Sequence, residues 1–167
     1  MIPESVSSVL ATHGLQAVEF EPGSTATSQL AAAQLGVLVG QIAKSLLFLG
    51  KDGRYSMLLC PGDRKVSSSK LKAALGVKTR MARYEETVSA TGFEPGGVCP
   101  FGIDGHIRIL IDESLSQYPM IYPAAGTSGS GVPMTFEQLV SITGGQVGDF
   151  LMAEGEGAGE RLAEEGG

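Results

Sequence analysis

Residues 42–60 read IAKSLLFLGKDGRYSMLLC, and this stretch decides the fold. Two apolar runs, 42–49 and 55–60, are separated by Gly50-Lys51-Asp52-Gly53. Glycines at both ends of so short a connection supply the backbone freedom of a tight turn. The pattern therefore predicts a β-hairpin, closed by the turn residues Pro61-Gly62-Asp63.

Capping signals predict helices on both sides of the hairpin. Thr27 is placed to cap a helix over 28–35 that ends at Gly36. Val66 before Ser67, with Leu71 beyond, matches a hydrophobic staple and predicts a helix over 67–75. The same reasoning gives helices at 3–13, 85–90 and 135–142, strands at 15–21, 79–82, 107–111, 120–123 and 146–151, and a loop at 92–105.

Helices and strands are interspersed without a strict βαβ rhythm, and no internal repeat is evident. This order favours an α/β (α+β) fold in which helices surround a mixed sheet. Residues 1–152 are predicted to form a single domain. Residues 153–167 carry five glutamates against one arginine among glycine and alanine, which predicts an acidic, disordered tail.

Composition limits the classes of function. Hydrophobic residues make up 43% of the chain and charged residues 18%, a globular balance. No apolar run approaches the roughly 20 residues that span a bilayer, and no secretory signal is evident, so no membrane partner and a cytoplasmic location are expected. Two cysteines and two histidines in no ligand-like cluster predict neither a metal nor another cofactor.

The net charge of −6 hides a basic segment. Residues 44–84 contain ten lysines and arginines against two aspartates, a local charge of +8. Such a segment suits contact with RNA phosphates, and a solvated charged face explains it as well.

Lys44 stands out within the hairpin. Alternation along a strand places it on one face with Ile42, Leu46 and Phe48. An ammonium group among apolar neighbours is tolerated when it is paired, reaches water or has a function. The strand alternation alone does not decide whether Lys44 extends its charge to water or is catalytic.

Two glycine-rich stretches are further candidates for a site. Gly96-Gly97-Val98-Cys99-Pro100-Phe101-Gly102 allows a close backbone approach, so its N–H groups suit an oxyanion, although a functionless tight turn fits equally well. The small residues 124–131 suit a pocket wall or a mobile loop. They lack the GxxxxGK[ST] pattern of a phosphate-binding loop.

Taken together, several motifs resemble the YbaK/prolyl-tRNA-synthetase-associated editing domain family. They are Thr27-Ser28-x-x-Ala31-Ala32-x-x-Leu35-Gly36, Gln41-Ile42-Ala43-Lys44-Ser45-Leu46, Pro61-Gly62-Asp63-Arg64, Lys70-Leu71 and the stretch 96–102. The resemblance runs from about residue 15 to residue 150. It implies a partly barrel-like mixed sheet and a free-standing trans-editing deacylase that hydrolyses mischarged tRNA, Ala- or Cys-tRNA(Pro), with prolyl-tRNA synthetase as an expected partner.

The resemblance also implies roles for residues. Lys44 is expected to be catalytic, assisted by the amides of Gly97, Val98 and Cys99. The expected substrate contacts are Thr27, Gly96, Pro100, Phe101, Gly102, Gly126, Thr127 and Ser128, and the expected tRNA contacts are Arg64, Lys65, Lys70 and Lys72.

The sequence also departs from the family, and alternatives stay open. Some members carry a histidine where Thr127, Ser128 and Ser130 stand here. A Cys99 nucleophile with His106 as its base is a less favoured mechanism. A noncatalytic tRNA-binding or synthetase-associated module of the same fold is the alternative function. The mischarged amino acid and the oligomeric state are not predicted.

Overall fold

The structure, a computed structural model, describes residues 1–154. The prediction of a disordered tail over 153–167 therefore falls almost wholly outside the described residues. The helices are α1 Glu4–Thr12, α2 Ser28–Leu35, α3 Ser68–Leu75, α4 Tyr84–Thr91 and α5 Phe136–Thr143. The strands are β1 Val18–Glu19, β2 Ala43–Gly50, β3 Tyr55–Pro61, β4 Thr79–Met81, β5 Arg108–Asp112, β6 Ser130–Gly131 and β7 Gln146–Gly148. Short 3-10 helices lie at Val39–Gln41 and Glu113–Gln117.

A five-stranded sheet in the order β4-β2-β3-β5-β7 forms the centre of the molecule. β2 pairs antiparallel with β3 and β4, whereas β5 pairs parallel with β3 and β7. The predicted mixed sheet with helices around it is confirmed. Within residues 1–154, β4 and β7 are not paired with each other, so the sheet stays open and does not close into a barrel. β1 and β6 form a separate antiparallel pair.

Both faces of the sheet are covered, because successive side chains of β2 and β3 point to opposite sides. Leu47 and Leu59 belong to the larger core cluster, which includes Leu10 of α1 and Leu139 of α5. Leu46, Leu58 and Leu110 lie on the other face, in a cluster with Leu71 of α3. The hairpin predicted from residues 42–60 is therefore the central layer of the molecule.

The predicted caps are present. The side chains of Thr27, Ser67 and Thr135 accept hydrogen bonds from backbone N–H groups in the first turns of α2, α3 and α5. Gly36 and Gly76 end α2 and α3 in the left-handed conformation, which costs glycine little. These helix bounds follow from local hydrogen bonding.

Three predicted strands are shorter in the structure. Of the strand predicted at 15–21, only β1 is present, and of the strand predicted at 146–151, only β7 is present. Residues 120–123 form only single bridges, Ile121 to Met134 and Tyr122 to Ile42. Because neighbouring residues pair with different segments, no continuous ladder forms there. β6, inside the small-residue stretch, was not predicted.

Asp112, at the end of β5, fixes the position of the C-terminal segment. The residue is 1% exposed, and its carboxylate accepts hydrogen bonds from the N–H groups of Phe150 at 2.8 Å and Ser114 at 3.0 Å. We expect Asp112→Ala to lower the free energy of unfolding by about 2–4 kcal/mol, because it leaves buried donors unpaired. Urea unfolding measures this, with the exposed neighbour in Glu113→Ala as the control. A change no larger than the control's would contradict the prediction.

Candidate active site

A pocket opens along one edge of β2, between that strand and three loops. Its cavity volume is about 90 Å³. The lining residues come from segments far apart in the chain: Thr25, Ala26, Thr27, Ser28, Ala31, Ile42, Ala43, Lys44, Ser45, Leu46, Leu47, Met81, Ala82, Thr87, Pro95, Gly96, Val98, Tyr122, Ala124 and Ser130. Of the predicted site residues, the structure thus brings Lys44, Thr27, Gly96 and Val98 into the lining of this pocket.

Lys44 is a half-buried lysine of the pocket lining. Its side chain makes no hydrogen bond or ion pair with any other residue of 1–154. No aspartate or glutamate of the described chain lines the pocket. The ammonium group is therefore available for an anionic or strongly polar ligand.

Helix α2 begins in the lining of the pocket. Thr27 and Ser28 line the pocket, and Thr27 Oγ1 accepts the Leu30 N–H at 3.1 Å. The cap satisfies one of the free N–H groups of the first turn, and the helix dipole places partial positive charge at this end. Lys44 and the start of α2 together give the pocket a positive side.

A hydrogen-bond network joins two loops that contribute Thr25, Ala124 and Ser130 to the pocket lining. Thr25 donates its N–H to the Ser128 carbonyl at 2.7 Å, and Thr25 Oγ1 accepts the Ser130 N–H at 2.9 Å. Ser130 Oγ accepts the Ala125 N–H at 3.0 Å. The two bonds of Thr25 link residues more than 100 positions apart, so this part of the pocket depends on tertiary structure.

The glycine loop contributes fewer residues to the pocket than the sequence suggested. Gly96 and Val98 line it, whereas Phe101 is 1% exposed and packs in the main core. Pro100 is buried and Gly102 lies against Ser5. In this conformation the side chains beyond Val98 support the loop, so the substrate contacts expected at 100–102 are not at the pocket surface.

Gly97 packs behind the wall. A Cβ built there would lie 2.7 Å from the Thr127 carbonyl carbon. Of the small-residue stretch, Ala124 and Ser130 line the pocket, while the predicted contacts Gly126, Thr127 and Ser128 do not. The predicted contacts thus belong to a segment that reaches the pocket, and they lie within a few positions of its two lining residues.

Cys99 is fully buried, and burial raises the pKa of its thiol to about 12. The side chain of His106 is 98% exposed and contacts Asp104. A thiol that stays protonated at neutral pH is a poor nucleophile, and the proposed base is held elsewhere. The Cys99–His106 mechanism is therefore wrong for this structure.

We accordingly expect Cys99→Ala to keep the activity of the pocket, because the sulfur neither ionises nor reaches the cavity. The smaller side chain leaves a void, so a loss of stability of about 1 kcal/mol is expected. Initial rates and thermal melting of the variant check both statements. A large fall in rate without a large fall in melting temperature would restore Cys99 as a catalytic candidate.

The predicted tRNA-binding residues differ in availability. Arg64 donates to the Met152 carbonyl at 2.7 Å and pairs with Glu154 at 3.5 Å. Lys70 binds Asp149 and the Leu151 carbonyl, each at 2.8 Å. Lys65 is half-buried and Lys72 is exposed on α3. Two of the four side chains thus already hold the C-terminal segment.

Several lining residues carried no signal in the sequence. Thr25, Thr87 and Tyr122 are common polar residues at unremarkable positions, and only the fold brings them together. Among residues 1–154, no group of three or more metal-ligating side chains is present. No helix in that range is long and apolar enough to cross a membrane.

Comparisons with known proteins are consistent across sequence and structure. A sequence profile described as "Aminoacyl-tRNA editing domain" matches residues 22–142. YwhH of Bacillus subtilis is 37% identical over 121 residues, which are 72% of this chain and 76% of that protein. EbsC of Enterococcus faecalis, named as a proposed Cys-tRNA(Pro)/Cys-tRNA(Cys) deacylase, is 27% identical over 129 residues, 77% of this chain and 79% of EbsC.

A solved structure resembles the whole described fold. The crystal structure of a proposed trans-editing enzyme for prolyl-tRNA synthetase superimposes with a TM-score of 0.81 at 35% identity. The match covers 91% of this chain and 99% of that one. The likeness therefore includes the sheet, the surrounding helices and the segments that form the pocket.

Proposed function

The chain belongs to the aminoacyl-tRNA editing domain family, and we propose that it is a free-standing deacylase acting on mischarged tRNA(Pro), with an alanyl or cysteinyl ester as its substrate. The observation that carries the proposal is the unpaired Lys44 ammonium in the pocket at the edge of β2. An aminoacylated tRNA end carries a phosphate and an ester oxygen, which are acceptors for this ammonium, beside a small side chain.

Hydrolysis requires water to add to the ester carbonyl carbon. Negative charge then develops on the carbonyl oxygen, and collapse of the intermediate expels the ribose oxygen. We propose that Lys44 holds the phosphate-proximal end of the ester and stabilises this charge. The start of α2, at Thr27, adds positive potential for the phosphate. Of the three amides expected to assist, the N–H of Val98, which lines the pocket, is the proposed further donor; Gly97 N–H already donates to the Glu94 carbonyl at 3.0 Å, and Cys99 is fully buried.

No histidine or carboxylate is found among the described residues that line the pocket. A side-chain general base is therefore not part of the proposal. A hydroxyl group of the substrate's own ribose, which can orient the attacking water by a hydrogen bond, or the thiol of a cysteinyl group assists instead. The enzyme's contribution is then placement and charge stabilisation.

The size of the pocket supports a small aminoacyl group. A synthetase discriminates poorly against an amino acid that is smaller by a methylene or two, because the difference is worth only about 1–3 kcal/mol. A second site that admits the small group corrects this error. A cavity of about 90 Å³ walled by Ala82, Val98 and Ala124 suits such a site.

The proposed partners follow from this substrate. Mischarged tRNA(Pro) is the ligand, and prolyl-tRNA synthetase, which forms the error, is the associated protein. The proposed location is accordingly the cytoplasm, where tRNA is charged. Lys72 on α3 and the other exposed basic residues of 44–84 are proposed to contact the acceptor stem, whereas Arg64 and Lys70 already bind residues 149–154.

The test uses tRNA(Pro) charged separately with alanine, cysteine, serine, threonine and proline. Ester loss is followed with the purified protein and corrected for spontaneous hydrolysis. We expect selective loss of the alanyl or cysteinyl ester and none of the prolyl ester. Salt-dependent tRNA binding without hydrolysis of any ester would replace the proposal with the noncatalytic module.

A further inference from the structure

The hydrogen-bonding pattern of β2 leaves part of its outer edge unpaired. In an antiparallel pair, residues alternately bond to the partner strand and point away from it. Gly50 N–H bonds to the Arg54 carbonyl, and the Ile42 carbonyl accepts from Gly62 N–H. The even-numbered residues between them therefore bond to β3, and the odd-numbered residues direct their N–H and C=O groups to the opposite edge.

Two segments cover that edge incompletely. Ala43 N–H donates to the Tyr122 carbonyl at 3.2 Å, and the Leu47 carbonyl accepts from Ala82 N–H at 2.9 Å. β4 pairs with β2 only from Phe48 onward. Between these contacts, the N–H and C=O of Ser45 make no hydrogen bond within the described chain.

The gap opens into the pocket. Ala43, Ser45 and Leu47 of the edge line it, as do Tyr122 and Ala82 on either side of the gap. The Ser45 hydroxyl is a third unpaired polar group at this residue: it is buried and has no partner among residues 1–154. Unpaired buried polar groups are uncommon in folded proteins and call for an explanation.

We propose that the main chain of Ser45 binds the aminoacyl group as a strand one residue long. In a hydrogen-bonded antiparallel pair, two residues exchange both N–H···O=C bonds. An aminoacyl ester carries one amine and one carbonyl on the same Cα, the groups that such a partner of Ser45 requires. The α-amino group donates to the Ser45 carbonyl, and the ester carbonyl accepts from the Ser45 N–H.

This inference rests on the proposed function and deepens it. It assigns recognition of the α-amino group, which every aminoacyl ester shares, to the strand edge. The Ser45 N–H and C=O lie in the plane of the sheet, whereas the Lys44 side chain leaves one face of it, so the two groups approach the ester from different directions. The pocket is then selective for esters of α-amino acids with a free amine.

The first test varies the substrate. Two esters of tRNA(Pro) are compared. One carries the aminoacyl group whose ester is hydrolysed fastest, and the other carries the same acyl group without its amine, such as propionyl in place of alanyl. Each enzymatic rate is divided by the spontaneous rate of the same ester, because the amine itself activates the ester. We expect the acceleration to fall about tenfold without the amine, the effect of one lost hydrogen bond of about 1.4 kcal/mol. Equal acceleration of both esters would overturn the inference.

The second test varies the protein. Ser45→Pro removes the outward N–H without touching the β3 ladder, and proline is tolerated at such edge positions. Ser45→Ala removes only the hydroxyl and is the matched control. We expect Ser45→Pro to hydrolyse the ester about tenfold more slowly than Ser45→Ala, the effect of one lost hydrogen bond. Equal rates in the two folded variants would contradict the inference.

The third test needs neither a variant nor turnover. Amide hydrogen exchange of the wild-type protein is followed with 3′-alanylamino-3′-deoxyadenosine, whose amide replaces the ester. The Ser45 amide is expected to exchange more slowly when this compound is bound, whereas the Leu49 amide, already paired with β4, is unchanged. Unchanged exchange at Ser45 in the saturated complex would refute the subsite, while Lys44-dependent hydrolysis would still support the deacylase.

Discussion

Lys44→Ala is expected to lower the rate of deacylation by about 10²–10³-fold, the usual cost of removing one group that stabilises developing negative charge. The ammonium has no partner within residues 1–154, and no other lysine or arginine lines the pocket. No neighbouring cation can therefore take over its charge. Single-turnover hydrolysis of the preferred mischarged tRNA measures the effect without product release.

The same substitution should leave the fold intact. Lys44 is half-buried and makes no ion pair or hydrogen bond in the described structure, so its removal breaks no stabilising contact. Lys51→Ala is the matched control, since this exposed lysine lies in the turn that follows β2. A rate near wild type for Lys44→Ala, or an equal loss in Lys51→Ala, would remove Lys44 from the mechanism.

Gly97→Ala is the second substitution with a large expected effect. A Cβ at this position would lie 2.7–2.8 Å from three backbone atoms of Thr127, closer than real Cβ contacts allow. The glycine loop or the Thr127 segment must then move, and both adjoin the pocket wall. We expect stability to fall by about 1–3 kcal/mol, as for other overpacked sites.

The deacylation rate of Gly97→Ala should fall together with its stability. A displacement of about 1 Å in a positioning group costs on the order of 10²-fold in rate. Gly105→Ala is the matched control, because a Cβ there meets nothing within 4 Å in the same long loop. Denaturant unfolding and deacylation rates are compared for both variants. If Gly97→Ala behaves like Gly105→Ala, the contact with Thr127 does not shape the site.

Local signals in the sequence predicted most elements of the fold. The alternation and glycines of 42–60 predicted the central hairpin, and Thr27, Ser67 and Thr135 predicted the starts of three helices. These features depend on hydrogen bonds between residues a few positions apart. Residues 120–123 failed as a strand because their bonding partners, Gln41, Ala43 and Met134, are set by packing.

The resemblance to a family located the segments of the pocket, but it could not say which of their side chains face it. Phe101 and Cys99 lie in the motif that carries the resemblance, yet both are buried in the core. A motif fixes the path of the backbone, and the side chains on it divide between the ligand and the protein interior. Arg64 and Lys70 show the same ambiguity, because their charge also holds residues 149–154.

The sequence by itself determined the hairpin, the capped helices, the mixed sheet and the unusual position of Lys44, since each depends on residue type and on spacing along a few turns or strands. Tertiary structure alone decided the closure of the pocket. Thr25 reaches Ser130 across 105 positions, Gly97 meets Thr127, and within residues 1–154 the edge of β2 stays open between Tyr122 and Ala82. Such contacts join segments distant in the chain, and their geometry follows from how the whole core packs.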